Sequence, residues 1–132
     1  MYRTWIAIIG LALLSPVGLS AEDACKSNEV HKDNLCWYRA RQKMTLEKAE
    51  QFCSSEGYRL PTMQEARTLL GQYPGKKVQE LGQVFGVSGP FFFWVQQNPE
   101  SDKVQIVLPG TSMTMDLDPT SKLYAQCVRS PD

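Results

Sequence analysis

The stretch MTLEKAEQFCSSEGYRLPTMQEA, residues 44–66, holds two helix starts and the joint between them. Leu46, Ala49 and Cys53 fall at i, i+3 and i+7 with Phe52 beside them, so a helix over 45–56 has one apolar face. Thr45 is suited to cap its start, and Gly57 to follow its end in a left-handed conformation. Cys53 then faces inward, which suits a buried disulfide. Tyr58-Arg59-Leu60 is a short extended link, because Pro61 disfavours helix in the residue before it. Thr62 and Glu65 form a Thr-x-x-Glu capping box. The Thr62 hydroxyl takes the Glu65 backbone N–H, and the Glu65 carboxylate returns to Thr62. Ala66, Leu69 and Leu70 face inward on the second helix, which ends near Gly71. Arg59 and Glu65 read as parts of this joint rather than of a binding surface.

Working outward, Val78, Leu81 and Phe85 share a face of a third short helix. Upstream, residues 22–35 are polar with a turn at Lys32-Asp33-Asn34, and residues 36–40 carry two aromatics and read as a strand. Beyond Gly89 the period changes. Residues 91–95 are an unbroken apolar run, as expected of a strand buried on both faces. Phe92 and Trp94 share one side of it, Phe91 and Phe93 the other. Val104, Ile106 and Leu108 alternate, Pro109-Gly110 turns, and Met113, Met115 and Leu117 alternate again. The two methionines read as core fill rather than as an adaptable interface. Residues 123–128 form a last strand holding Cys127. Helices followed by short antiparallel strands make an α+β pattern.

The whole chain has 132 residues, with 14 Lys+Arg and 14 Asp+Glu. Residues 1–21 read as a secretory signal peptide: one charge at Arg3, an apolar run over 5–14, and Leu19-Ser20-Ala21 at the cleavage point. Residues 22–132 are then one domain, with 13 basic and 14 acidic groups and a net charge of −1. That balance argues against nucleic acid and against anionic lipid. No second apolar run is long enough to span a membrane after signal removal. Four cysteines (Cys25, Cys36, Cys53, Cys127) follow the cleavage point and imply two disulfides, with three connectivities open from spacing alone. There is no Cys-x-x-Cys pair, and the single His31 lies in a solvated stretch, so no metal site is expected. Glu22-Asp23-Ala24 is too charged to precede a lipid-modified Cys25.

Cys36-Trp37-Tyr38, the run from Met44 to Cys53, Gly57-Tyr58-Arg59-Leu60-Pro61-Thr62 with Glu65-Ala66, Phe93-Trp94-Val95, and the ending Cys127-Val128-Arg129 together resemble a C-type lectin-like domain. The segment Arg59-Leu60-Pro61-Thr62 is similar to the bacterial branch, including small secreted lectin-like domains and the sulfatase-modifying, formylglycine-generating fold. The resemblance implies two or three helices packed on a small antiparallel sheet, with Cys53 joined to Cys127 and Cys25 to Cys36. On chain-entropy grounds the larger loop contributes roughly 4.5 kcal/mol and the smaller about 3.

The sugar-binding version of that fold holds calcium through a Glu-Pro-Asn-like triplet and a Trp-Asn-Asp triplet. Here Asn98-Pro99-Glu100 followed by Asp102 has oxygen ligands in another order, and the second triplet is missing. Asp116 and Asp118 are the only further acids that could join them. No calcium or other cofactor is therefore expected, and this segment reads as a polar turn. As a binding surface, the candidates are Trp94, Asn98, Glu100 and Asp102, with core the competing reading of Trp94. No Ser/His/Asp set can be assembled around one histidine, and the cysteines are used by the disulfides, so no enzymatic activity is expected. The reading is a non-catalytic binding module, exported to the periplasm or cell exterior, whose partner is a protein. The rivals are a glycan-binding adhesin of the same fold and an inhibitor of a secreted enzyme. Lys76-Lys77 and Arg39/Arg41/Lys43 are the only local basic clusters, too few for an anionic polysaccharide.

Overall fold

A computed structural model describes residues 25–131; residues 1–21, where a signal peptide is expected, residues 22–24 and Asp132 lie outside the described residues. The expected α+β order is present. Strands β1 (Glu29–Lys32), β2 (Leu35–Tyr38) and β3 (Lys43–Met44) precede helices α1 (Leu46–Ser55), α2 (Met63–Gly71) and α3 (Val78–Phe85). The short strands β4 (Val104–Val107), β5 (Thr114–Leu117), β6 (Leu123–Tyr124) and β7 (Cys127–Arg129) follow. They form three small antiparallel sheets, ordered β1-β2-β7, β3-β6 and β4-β5.

The two helix ends read from the sequence are built as expected. Thr45 Oγ1 accepts the Lys48 N–H at the start of α1. At its end Gly57 takes φ 84°, Tyr58 N–H reaches Cys53 O at 2.7 Å and Gly57 N–H reaches Ser54 O at 3.2 Å. These bonds close a Schellman motif. At α2 both halves of the capping box are made: Glu65 N–H to Thr62 Oγ1 at 3.0 Å, and Thr62 N–H to Glu65 Oε1 at 2.9 Å. Gly86, at φ 71°, ends α3.

Both disulfides pair as the resemblance implied, Cys25 with Cys36 and Cys53 with Cys127. The second ties α1 to β7 through two fully buried residues.

Residues 91–95 depart from expectation in an informative way. The run is extended and alternates as expected: Phe91, Phe93 and Val95 enter one core cluster with Trp37, Leu69 and Phe85, while Trp94, flanked by Phe92, enters a second with Ala49, Cys53 and Ile106. Yet it is no ladder strand. Its one bridge pairs Phe93 with Tyr124. Elsewhere side-chain amides replace a neighbouring strand. Gln97 Nε2–H donates to Val95 O (2.8 Å) and Gln105 O (2.9 Å), while its Oε1 accepts Gln105 N–H (2.7 Å). Gln96 Nε2–H donates to Leu60 O at 2.9 Å. Buried backbone groups need partners, and two glutamines supply them.

Three further differences are local. β1 lies in the stretch read as polar, paired with β2 across Asp33-Asn34, whose φ of 55° and 61° suit a tight two-residue hairpin turn. The single last strand is two, β6 and β7, interrupted at Ala125-Gln126. Met113 and Met115 are exposed (66% and 37%) rather than core fill. Alternation of Met115 and Leu117 along β5 was read correctly; Leu117 packs against the second core cluster, and Met115 is left exposed on an edge strand.

Candidate functional site

Trp94 is not a surface residue. It is fully buried, and its indole N–H donates to Met44 O at 2.7 Å, tying the second core cluster to β3. A side chain held from both sides presents nothing to a ligand, so the core reading of Trp94 stands. Asn98, Glu100 and Asp102 are exposed on the turn that follows. Asn98 Oδ1 accepts the Glu100 N–H at 3.0 Å and Asn98 O accepts Ser101 N–H at 3.0 Å, a local Asx turn. Ser101 Oγ then accepts Lys103 N–H at 3.1 Å. Of the more distant acids, Asp116 accepts Gln105 Nε2–H at 2.8 Å and faces Lys103 Nζ at 3.4 Å. Those contacts, that to Gln105 first, hold its carboxyl below the usual range. Asp118 is lowered by the Thr120 hydroxyl and backbone N–H. Asn98, Asp116 and Asp118 thus spend side-chain oxygens on their own neighbours.

Among the described residues one group brings three side chains of metal-ligating type together: Cys25, Glu29 and Cys36. Both sulfurs are in the disulfide. The Glu29 carboxylate is the centre of a buried knot instead. Arg129 grips it with two N–H groups (Nε to Oε2 2.9 Å, Nη2 to Oε1 2.8 Å), Lys26 N–H adds a third bond at 2.6 Å, and Tyr58 Oη–H adds a fourth. Burial pushes the Glu29 carboxyl up, but these donors overcome it and hold it at about 2. Burial and the facing carboxylate push Tyr58 up to about 12. The knot joins the N-terminal hairpin, the α1 exit and the last strand, which is a structural task.

Arg59 and Glu65 meet in a two-bond pair, Nη1 to Oε1 at 2.7 Å and Nη2 to Oε2 at 2.8 Å. Glu65 is lowered and Arg59 raised, each chiefly by hydrogen bonding to the other. Glu65 also caps α2, so the joint reading accounts for both residues.

The surface that stands out is the β4–β5 hairpin. Registered pairs Ile106↔Met115 and Val104↔Leu117 share one side, Gln105↔Asp116 the other. Ile106 and Val107 enter the two core clusters, so β4 is anchored on both faces while β5 is an edge strand. Met113 and Met115 are the exposed large apolar residues among those described. The hairpin turn also carries Pro109, which edges a groove of about 570 Å³ lined by Val78, Val87, Pro90 and Phe92. Gly75 N–H donates to Gly110 O at 3.0 Å and fixes that turn against the chain before α3. Sequence periodicity placed Met115 and Leu117 on one face of β5, but the reading of Met113 and Met115 as core fill does not hold, and Met113 precedes the strand.

Solved structures with this architecture include botrocetin (TM-score 0.53, 18% identity, 82% of this chain and 99% of that one). Others are the C-type lectin-like domain of mouse CD72a (0.56, 15%, 82% and 95%) and the carbohydrate-recognition domain of mouse scavenger receptor C-type lectin (0.51, 13%, 82% and 98%). No family model matches the sequence, and neither does any curated protein.

Proposed function

We propose that this chain, whose fold is disulfide-stapled, C-type lectin-like and α+β, is an exported, non-catalytic binding module, of the bacterial lectin-like kind, acting in the periplasm or outside the cell on a protein partner. The observation that carries the reading is the exposed pair Met113, at the entry to the edge strand β5, and Met115, on it, in a hairpin whose turn residue Pro109 edges a groove. Flexible thioethers on a rigidly anchored hairpin suit a protein surface, and exposed apolar area gains most from being covered. The two disulfides suit an oxidising compartment. A glycan reading draws support from the scavenger-receptor likeness alone, whose name states carbohydrate recognition of that protein. Here Asn98 uses its amide oxygen within its own turn.

The test is capture from an envelope extract by wild type and by the Met113→Glu/Met115→Glu double variant. The expected result is a discrete captured protein, reduced at least tenfold by the variant, whose melting temperature matches wild type. Equal capture by both proteins rejects the hairpin as the surface. Glycan-array binding that the variant leaves intact, with no captured protein, favours the adhesin.

A further inference from the structure

A second pocket lies away from the hairpin, under the link between β2 and β3, and its volume is about 280 Å³. Ala40 is buried in the core and pins that link. Arg39 and Arg41 flank it at i and i+2, and both line the pocket. No carboxylate lines the cavity. Among the described residues neither guanidinium takes part in an ion pair. Arg39 Nε–H is buried with no hydrogen-bond partner. Buried donors are rarely left in that state in native proteins. Arg39 Nη2 lies beside Gly86, where a Cβ would come to 3.4 Å, so the guanidinium is held against the end of α3.

The rest of the wall is largely apolar and aromatic: Tyr38, Met44, Phe52 and Ala125. Tyr38 and Phe52 meet edge to face at 5.9 Å on the pocket lining. Asn28 and Gln42 add amide donors at the rim. A chain of near-neutral charge thus has a small cavity with two cations, no anion and a ring-lined wall.

The geometry points to a site for a carboxylate carried on a small apolar body, with Arg39 and Arg41 gripping the anion and Tyr38 and Phe52 enclosing the apolar part. Guanidinium groups match the two oxygens of a carboxylate. The volume sits at the lower edge of the usual small-molecule range, which sets the occupant at the size of one aromatic acid or one terminal residue. This inference stands apart from the hairpin and does not rest on it.

Phenylacetate and its neutral counterpart phenylacetamide are the probes, titrated into isotopically labelled secreted protein with both disulfides intact. Amide and arginine Nε–H resonances are followed by NMR. Phenylacetate should shift the Arg39 Nε–H and the Phe52 amide saturably, with a dissociation constant of roughly 1 mM, as suits about ten heavy atoms. Phenylacetamide should bind at least tenfold more weakly. Arg41→Gln, at an exposed position that does not threaten folding, should weaken phenylacetate about threefold or more, and Arg39→Gln at least tenfold. N-acetylphenylalanine is the third probe. Binding tighter than phenylacetate assigns the carboxylate to a peptide end, and weaker binding assigns it to a free small acid; both support the site. Equal shifts from acid and amide, saturation by inorganic sulfate at the same strength as by phenylacetate, or unchanged affinity in Arg41→Gln would each overturn it.

Discussion

Glu29 and Gly82 are two positions where one side chain, or its lack, carries a measurable consequence. The Glu29 carboxyl sits at about 2 in the fold against an ordinary value of 4.5. A depressed folded value means that the stability it contributes is present above pH 4.5 and is lost as pH falls toward 2, on the order of 3 kcal/mol. Urea midpoints measured between pH 7 and pH 2 should therefore fall steeply over that window. Glu29→Gln should flatten the fall while lowering stability at pH 7, since it leaves Arg129 facing a neutral amide in a buried position. An acid limb of unchanged slope in the variant would remove Glu29 as its cause. Gly82 lies inside α3, where glycine to alanine ordinarily gains stability. Here an added Cβ would stand 2.9 Å from Val87 O, the carbonyl of the chain folding back past the helix end. Gly82→Ala should cost about 1–3 kcal/mol by overpacking. Gly71→Ala, with nothing within 4 Å of its Cβ, should be neutral or stabilising by up to about 1 kcal/mol. The pair of variants, compared in one denaturation series, separates packing from propensity.

At the level of elements, the start of α2 is the best-defined joint. Thr62→Ala removes one cap bond and should cost about 1 kcal/mol. From the sequence alone Glu65 looks like the lesser member of the box. The structure reverses that order, because Glu65 Oε1 accepts both the Thr62 N–H and an Arg59 N–H, and Oε2 accepts a second. Glu65→Ala should cost at least as much as Thr62→Ala. A double-mutant cycle between Arg59 and Glu65 should return a coupling of roughly 0.5–1 kcal/mol, modest because Arg59 is 41% exposed. If Thr62→Ala leaves the unfolding midpoint unchanged yet abolishes partner capture, the joint belongs to the binding surface instead. The fate of residues 91–95 makes a complementary point. Their alternation was legible, but Gln97 looks like an ordinary surface amide until Val95 O, beyond the bridge to Tyr124, needs a hydrogen-bond partner.

For the molecule as a whole, two core clusters are fastened together by the 91–95 segment and by a disulfide framework of very unequal spans. Replacing Cys53 and Cys127 by alanine should destabilise more than replacing Cys25 and Cys36. It opens a span of 74 positions rather than 11, and it also leaves a gap where both side chains are fully buried. Differential melting of the two double variants checks the order, and equal losses would place the stabilisation elsewhere. What the sequence alone determined are the features whose causes lie within a few residues: the caps of α1 and α2, the glycine exit of α1, the inward phase of Cys53 and the two faces of 91–95. Hydrogen bonds to the nearest backbone groups set the caps and the exit, and the helix and strand side-chain periods set the faces. The disulfide pairing was legible only through the resemblance, since spacing left three pairings open. The tertiary structure alone decided that Trp94 is buried, that Met113 and Met115 are exposed, and that Glu29 waits in a polar stretch for Arg129 from the far end of the chain. Burial and charge pairing depend on what distant segments bring opposite a side chain, and no local pattern contains that information.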